Sequence, residues 1–202
     1  MNLRLPHVRS YFQTGTLLFI CLLCLAPRLA LSQSLGFDLH GQPVSSLADP
    51  NAHVVVLFFA ASDCPISNRY IPEIKRLTQE FGTRGVRFWW VYPNADDTAG
   101  VVAGHNRDFS ITGDTLLDPG QSLVKLAHAT TTPEAAVFLV QSNQLRPVYL
   151  GRIDDRYINL GQERPRPQHH DLESAIAEAL AGKPVPQPGG PSVGCSIVFL
   201  QK

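Results

Sequence analysis

The chain has 202 residues, of which 44% are apolar and 17% charged, and its 17 basic and 17 acidic side chains cancel to a formal net charge of zero. That length fits one domain with a substantial core plus an export segment and disfavours two full domains. The absence of a basic excess excludes the electrostatic footprint of a nucleic-acid binder.

The N-terminus reads as an export segment. Arg4 and Arg9 precede an uncharged run from Thr14 to Ala26, followed by Pro27 and the small-residue pattern Ala30-Leu31-Ser32. This predicts a signal peptide over residues 1–32, cleaved after Ser32. The run is about 13 residues long, short of the roughly 20 that a membrane-spanning helix needs. Lipid attachment is disfavoured because Ile20 precedes Cys21 and Leu23 precedes Cys24, where a small residue is required. Arg28, close to the cleavage point, keeps an uncleaved anchor as the alternative, and only then is membrane contact expected. Either way the domain is expected to be exported, periplasmic or extracellular. Cleavage removes Arg4, Arg9 and Arg28 and no acid, leaving 14 basic against 17 acidic side chains. It also removes Cys21 and Cys24, so Cys64 and Cys195 remain in a compartment that permits disulfides.

Phe37 to Val44 alternates apolar and polar residues around Gly41, which predicts a short strand and turn. His53 to Phe59 is apolar throughout after His53, as in a central strand covered on both faces. From Pro65 the period changes: Ile66, Tyr70, Ile74, Leu77 and Phe81 recur at three- and four-residue steps, with Gly82 as the expected stop. Pro65 suits a first helical turn, where its missing N–H costs nothing. Val86 to Tyr92 is a β-branched and aromatic second strand, expected to be parallel to the first because a helix connects them. A turn at 94–97, a helix from Thr98 to Phe109 weakened by Gly100 and Gly104, a strand at 115–117 and a helix from Gln121 to His128 follow. The alternation of strand and helix places the chain in the α/β class.

Thr132-Pro133-Glu134 leads into Ala136 to Val140, and Ser142-Asn143-Gln144 turns the chain into Leu145 to Leu150, an antiparallel hairpin completing the sheet. Asp171 is expected to cap a helix from Leu172 to Ala181, stopped by Gly182. Residues 183–202 form a Pro/Gly-rich tail that carries Cys195, and its apolar stretch, Val193 to Leu200, is expected to dock on some surface. The organisation is thus a signal peptide at 1–32, one domain at 33–182 and a tail at 183–202.

Cys64 is the chemical centre of this pattern, because it stands where a buried strand gives way to a helix. A thiolate is the nucleophilic form of cysteine, and a helix N-terminus can lower a thiol pKa from about 8.5 to roughly 3.5–7.5. Cys64 is also at home as an inert core cysteine. Asp63 opposes ionisation unless it is engaged by Arg69 or the helix end. Position 67, three residues on, holds Ser67 in place of a second cysteine.

The succession of strand, cysteine-initiated helix, parallel strand and Thr-Pro hairpin resembles the thioredoxin superfamily, with a central mixed β-sheet flanked by helices. The nearest likeness is to its redoxin and peroxiredoxin-like branch, the alkyl hydroperoxide reductase/thiol-specific antioxidant (AhpC/TSA) type, and to exported TlpA/ResA-like relatives. The resemblance covers residues 35 to 182 and rests on Ala61-Ser62-Asp63-Cys64-Pro65, Thr132-Pro133-Glu134-Ala135 and Tyr149-Leu150-Gly151-Arg152-Ile153-Asp154. It implies a cis Pro133 beside Cys64, with Thr132-Pro133 positioning an extended partner. Two departures stand out. Exported reductases of this kind carry a tryptophan before the first cysteine and a second cysteine three residues later, where this chain has Asp63 and Ser67. Peroxiredoxins carry a threonine three residues before the peroxidatic cysteine and a proline four before that, where this chain has Ala61 and Leu57.

The expected function is an exported thiol oxidoreductase or peroxiredoxin-like antioxidant protein. Its nucleophile is Cys64, attacking a disulfide or a peroxide, with protein thiols or peroxide as partners and an external thiol as reductant. Cys195 has three open roles: a mobile resolving thiol, one half of a static bridge, or a thiol pairing with another molecule. Ser67 is either a hydrogen-bond donor to the Cys64 thiolate or a plain first-turn residue. Arg152 either supplies charge near the site or pairs with Asp154 or Asp155 in a solvated surface cluster. No cofactor is implied. The alternative from another class is a non-enzymatic module for mixed-disulfide holding or copper binding. Thiolates suit Cu(I), although His40, His53, His105, His128 and His169-His170 show no ligand spacing.

Overall fold

The computed structural model describes residues 34–142 and 144–200, so the expected signal segment and Asn143 lie outside the described residues. A seven-stranded mixed sheet runs in the order β2-β1-β5-β4-β3-β7-β8. Its strands are β1 (Gly36–Phe37), β2 (Pro43–Val44), β3 (Val54–Phe59), β4 (Val86–Tyr92), β5 (Asp114–Leu117), β7 (Glu134–Gln141) and β8 (Gln144–Gly151). The helices are α1 (Pro65–Phe81), α2 (Ala99–Asp108), α3 (Ser122–Ala127) and α4 (Asp171–Leu180). Strands β3, β4 and β5 are parallel, joined by α1 and α2, while β7 and β8 form the expected antiparallel hairpin against β3. The α/β class and the thioredoxin-like arrangement of sheet and helices are those expected from the sequence.

Strand β3 explains why the run at 54–59 has no polar position. Val54, Val56 and Phe58 enter one apolar cluster with α1 and α4, and Val55, Leu57 and Phe59 enter a second cluster with α3. Both faces of a central strand are dry, so alternation disappears. Phe58 and Trp90 meet edge to face across the β3–β4 pair, 5.1 Å between centroids.

Helix α1 buries Ile66, Ser67, Tyr70, Ile71, Ile74, Leu77 and Phe81, the expected stripe. Its end differs from expectation. Gly82 keeps right-handed helical dihedrals and opens a short 3-10 turn to Arg84; the left-handed residue that stops the chain is Gly85, at φ 82°. A Cβ there would press on His53, so both the φ and the close approach call for glycine.

The last helix also corrects a detail. Asp171 is its first residue, with His170 at the N-cap, because the Asp171 carboxylate is engaged by Arg152 Nε at 2.8 Å and by the amide of Gly189 at 2.9 Å. Four short strands carry no readable sequence signal: β9 (Tyr157–Asn159) and β10 (Gln162–Glu163), which form a hairpin, and β6 (Thr131–Thr132) and β11 (Cys195–Ser196), which pair.

Candidate functional site

Cys64 occupies the N-cap of α1, at φ −86° and ψ 110°, with Pro65 in the first turn. Its amide is held by the carbonyl of Ala61 at 3.2 Å, and its own carbonyl accepts from Asn68 at 3.0 Å. The side chain is buried, with 1% of its surface exposed. Such a position gives the sulfur the end of the helix that favours negative charge.

Two segments distant in sequence close over this sulfur. The Thr132–Pro133 peptide bond is cis, and the Thr132 carbonyl accepts from Cys64 Sγ at 3.3 Å. Cys195 Sγ lies 2.7 Å from Cys64 Sγ. This separation is well inside a non-bonded contact and above the roughly 2.05 Å of a disulfide; both cysteines are free thiols here, Cys64 buried and Cys195 exposed. Burial, and then the neighbouring Cys64 sulfur, push the Cys195 thiol up to about 11. Cys195 Sγ thus faces Cys64 Sγ directly, and its raised pKa favours the protonated thiol.

The approach of the tail is built by backbone pairing. Cys195 and Ser196 pair antiparallel with Thr132 and Thr131, and Thr132 Oγ1 donates to the Cys195 carbonyl at 3.4 Å. Gly194 makes the fit possible, since a Cβ on it would collide with the Thr132 carbonyl and with Pro133. The base of the tail is fastened as well. Gly189 donates to Asp171, and Ser192 Oγ donates to Glu134 Oε1 at 2.9 Å, while Glu134 Oε2 accepts from the amide of Thr130. The expected docking of the apolar tail is met at Ile197, buried at 2% exposure, while Val198, Phe199 and Leu200 stay exposed.

The remaining expected residues fall differently. Ser67 is buried, and its hydroxyl accepts from the amide of Ala61 at 3.3 Å, tying the loop before Cys64 to the helix; its described hydrogen bond does not go to the thiol. Asp63 is exposed, and Arg69 lies 3.9 Å from Glu163. The reading of Arg152–Arg156 as a solvated cluster is corrected. Asp154 and Asp155 are buried at 2% and 3% exposure, and Arg152 pairs with Asp171. Asp154 accepts from Tyr70 Oη at 2.6 Å and from the Arg156 amide at 2.8 Å, and burial raises its pKa. Asp155 accepts the amides of Gln168 and His169. For a copper site, no histidine joins the two sulfurs among the described residues. The one described trio of potential ligands is Glu73, His170 and Glu173, where Arg76 already pairs with both glutamates.

A polar network beside the cysteine loop was not foreseen. Ser62 donates its amide and hydroxyl to Asp97 Oδ1, at 3.1 and 2.5 Å. Asn68 links the Ser62 carbonyl to His105 Nε2, and Tyr92 Oη lies 3.0 Å from His105 Nδ1. Burial raises the Asp97 pKa against the lowering by Ser62, and burial lowers that of His105. Asp97 sits in an ordinary-looking Asn-Ala-Asp-Asp turn, which offers no sequence signal for such a role.

The AhpC/TSA family model matches residues 24–146. Two solved structures share the fold. One is an uncharacterized conserved protein from Geobacillus kaustophilus, with 23% identity, 85% of this chain and 91% of that one covered, and a TM-score of 0.69. The other is a hypothetical protein from Sinorhizobium meliloti 1021, with 20% identity, 82% and 91% covered, and a TM-score of 0.67. No curated protein matches the chain.

Proposed function

The chain belongs to the AhpC/TSA family, and from that premise we propose that it is an exported thiol-disulfide oxidoreductase whose working couple is Cys64 and Cys195. The observation that carries the reading is the 2.7 Å separation of the two sulfurs. The dithiol that Ser67 rules out within the helix is supplied across the fold, by a strand of the tail.

The cycle follows from which sulfur is accessible. When the tail lifts, Cys64 attacks a sulfur of a partner disulfide, forming a mixed disulfide and releasing the other partner sulfur as a thiol. Cys195 then loses its proton to solvent and attacks Cys64 Sγ, releasing the second partner thiol and leaving the Cys64–Cys195 disulfide. The partner gains two electrons and this protein loses them. In the return half-cycle Cys195 is the outward sulfur, so an external thiolate meets it first and expels Cys64 at the helix end. A second external thiolate then attacks the reductant sulfur of that mixed disulfide and releases Cys195, leaving both protein thiols reduced and the two external thiols joined as a disulfide. The Thr132 carbonyl, 3.3 Å from Cys64 Sγ, holds the buried thiol between turnovers. Export is supported by the Arg4/Arg9, apolar and Ala30-Leu31-Ser32 pattern.

The test is the unreduced and reduced full chain with Cys64→Ser and Cys195→Ser. Mild oxidation should lower the mass by about 2 Da, and peptide mapping should place the bond at 64–195. Insulin reduction should be lost in Cys64→Ser and stall at a mixed disulfide in Cys195→Ser. A Cys64→Ser variant with full activity in both the insulin assay and a peroxide-consumption assay would falsify the reading. A stable adduct without turnover in the wild type would instead support a non-enzymatic holding module.

A further inference from the structure

The trough beneath residues 195–200 recognises its occupant by features that any extended chain offers. Two backbone pairings, at Cys195–Thr132 and Ser196–Thr131, set the register. The amide of Ile197 donates to the Thr130 carbonyl at 3.0 Å. Beyond that point the protein supplies side chains that imitate a strand. Gln121 Nε2 donates to the Val198 carbonyl at 2.7 Å, Gln121 Oε1 accepts from the Leu200 amide at 3.1 Å, and Asn94 Oδ1 accepts from the Val198 amide at 3.4 Å. Gln121 is buried at 2% exposure and held in the left-handed region at φ 54°, immediately before α3, so its amide is fixed in place.

Among the described residues after Cys195, one tail side chain is read. Ile197 is buried at 2% exposure in the cluster that contains Val124, Ala127 and Ala129, whereas Val198, Phe199 and Leu200 are 75%, 56% and 52% exposed. Backbone pairing with alternate side-chain pockets is the way an extended peptide is bound as an added strand. The cleft beside this strand is lined by Asp63, Asp96 and Asp97, which disfavours an acidic occupant.

We propose that this trough is the binding site for an extended, non-acidic segment of a partner protein in which a disulfide-bonded cysteine is followed two residues later by an aliphatic side chain, and that residues 195–200 are its tethered competitor. The inference rests on the oxidoreductase reading above and names its substrate class. A partner segment in the same register places its cysteine sulfur where Cys195 Sγ lies, against Cys64 Sγ. The aliphatic side chain takes the Ile197 pocket, and Gln121 holds the backbone beyond it. Cys64 is uncovered only while the tail is displaced, so binding of the partner and exposure of the nucleophile are one event.

The test uses the full-length Cys195→Ser chain and a blocked peptide, Cys-Ser-Ile-Val-Phe-Leu, whose cysteine is joined to thionitrobenzoate. Cys64 attacks the peptide sulfur, the Cys64–peptide disulfide forms, the peptide–thionitrobenzoate bond breaks, and the electron pair leaves on the coloured thiolate; the Cys64 proton goes to solvent. Mapping confirms the adduct at Cys64. Replacing the peptide isoleucine by aspartate should slow release about tenfold or more, the worth of one buried aliphatic side chain. Adding Ile197→Asp, which weakens the competitor, should speed reaction of the isoleucine peptide several-fold. Gln121→Glu, which loses the donor to the peptide carbonyl, should slow both peptides by a similar factor. Equal rates for the two peptides in Cys195→Ser, together with no acceleration by Ile197→Asp, overturn the proposal and leave a tail that acts only as a resolving arm. If Cys64 fails to react even with a small disulfide such as dithiobis(nitrobenzoate), the oxidoreductase reading itself falls.

Discussion

Gly194 lies against the carbonyl of Thr132 with no space for a side chain between them. That contact brings the tail strand within pairing distance of the cis-proline loop, and it sets Cys195 over Cys64. In Gly194→Ala the added methyl forces the strand away from Thr132. Disulfide closure between 64 and 195 should then slow about tenfold or more, as the effective concentration of the tail thiol falls. The melting temperature of the reduced protein should move by no more than about 4 °C, because Ile197 is the one described residue of 195–200 buried in the core. Stopped-flow oxidation with diamide and a thermal scan measure the two effects; closure at the wild-type rate would contradict the arrangement.

Cys64 is 1% exposed and Cys195 is an exposed thiol. A limiting amount of maleimide at neutral pH should therefore modify Cys195 before Cys64, because burial closes Cys64 to the reagent, while the raised pKa of Cys195 keeps its absolute rate below that of a free thiol. Peptide mapping of the singly labelled protein reads the order, and prior labelling of Cys64 would mean that the tail does not cover it.

The raised pKa of Cys195 has a definite sign in stability. The folded state holds this proton more tightly than a free thiol with its model value of 9.0, which the fold lifts to about 11. The contribution is fully present below pH 9 and is lost as pH rises through about 11. Urea unfolding of the reduced protein should show a falling midpoint across that window, and Cys195→Ser should flatten the part of the slope that this thiol supplies. An identical slope in the variant would contradict the linkage.

Tyr70 donates to Asp154 at 2.6 Å in a buried pair, and among the described residues Asp154 Oδ2 has no hydrogen-bond partner. In Tyr70→Phe the carboxylate keeps the Arg156 amide and the Arg156 Nε ion pair at 3.9 Å, and the loss should be about 1–3 kcal/mol of stability at neutral pH. The loss should shrink in acid, where Asp154 becomes neutral. Chemical denaturation at two pH values checks both parts.

Much of the fold was legible because its signals are local. The doubly covered strand at 54–59, the stripe Ile66, Tyr70, Ile74, Leu77 and Phe81, and the hairpin around residues 142–144 each follow from period and turn residues. The misplaced details depend on partners that lie far away in sequence. Asp171 reads as an N-cap until Arg152 and Gly189 claim its carboxylate. Asp154 and Asp155 read as solvated until Tyr70 and the amides of Gln168 and His169 bury them. Ser67 satisfies the Ala61 amide, a bond that depends on how the loop before Cys64 turns.

By itself the sequence determined that a cysteine would open a helix at the end of a buried strand, and that Ser67 would deny it a neighbouring thiol. Apolar periodicity and the geometry of strand, proline and helix are properties of adjacent residues. Only the tertiary structure decided what replaces that thiol. Residues 64 and 195 are 131 apart, and nothing in their spacing distinguishes a mobile thiol, a structural bridge or an external pair. Gly194, Gln121 and the carbonyls of Thr130 and Thr132 acquire their roles only when the tail strand lies on the cis-proline loop. Backbone pairing of this kind depends on three-dimensional adjacency and leaves almost no mark in side-chain pattern.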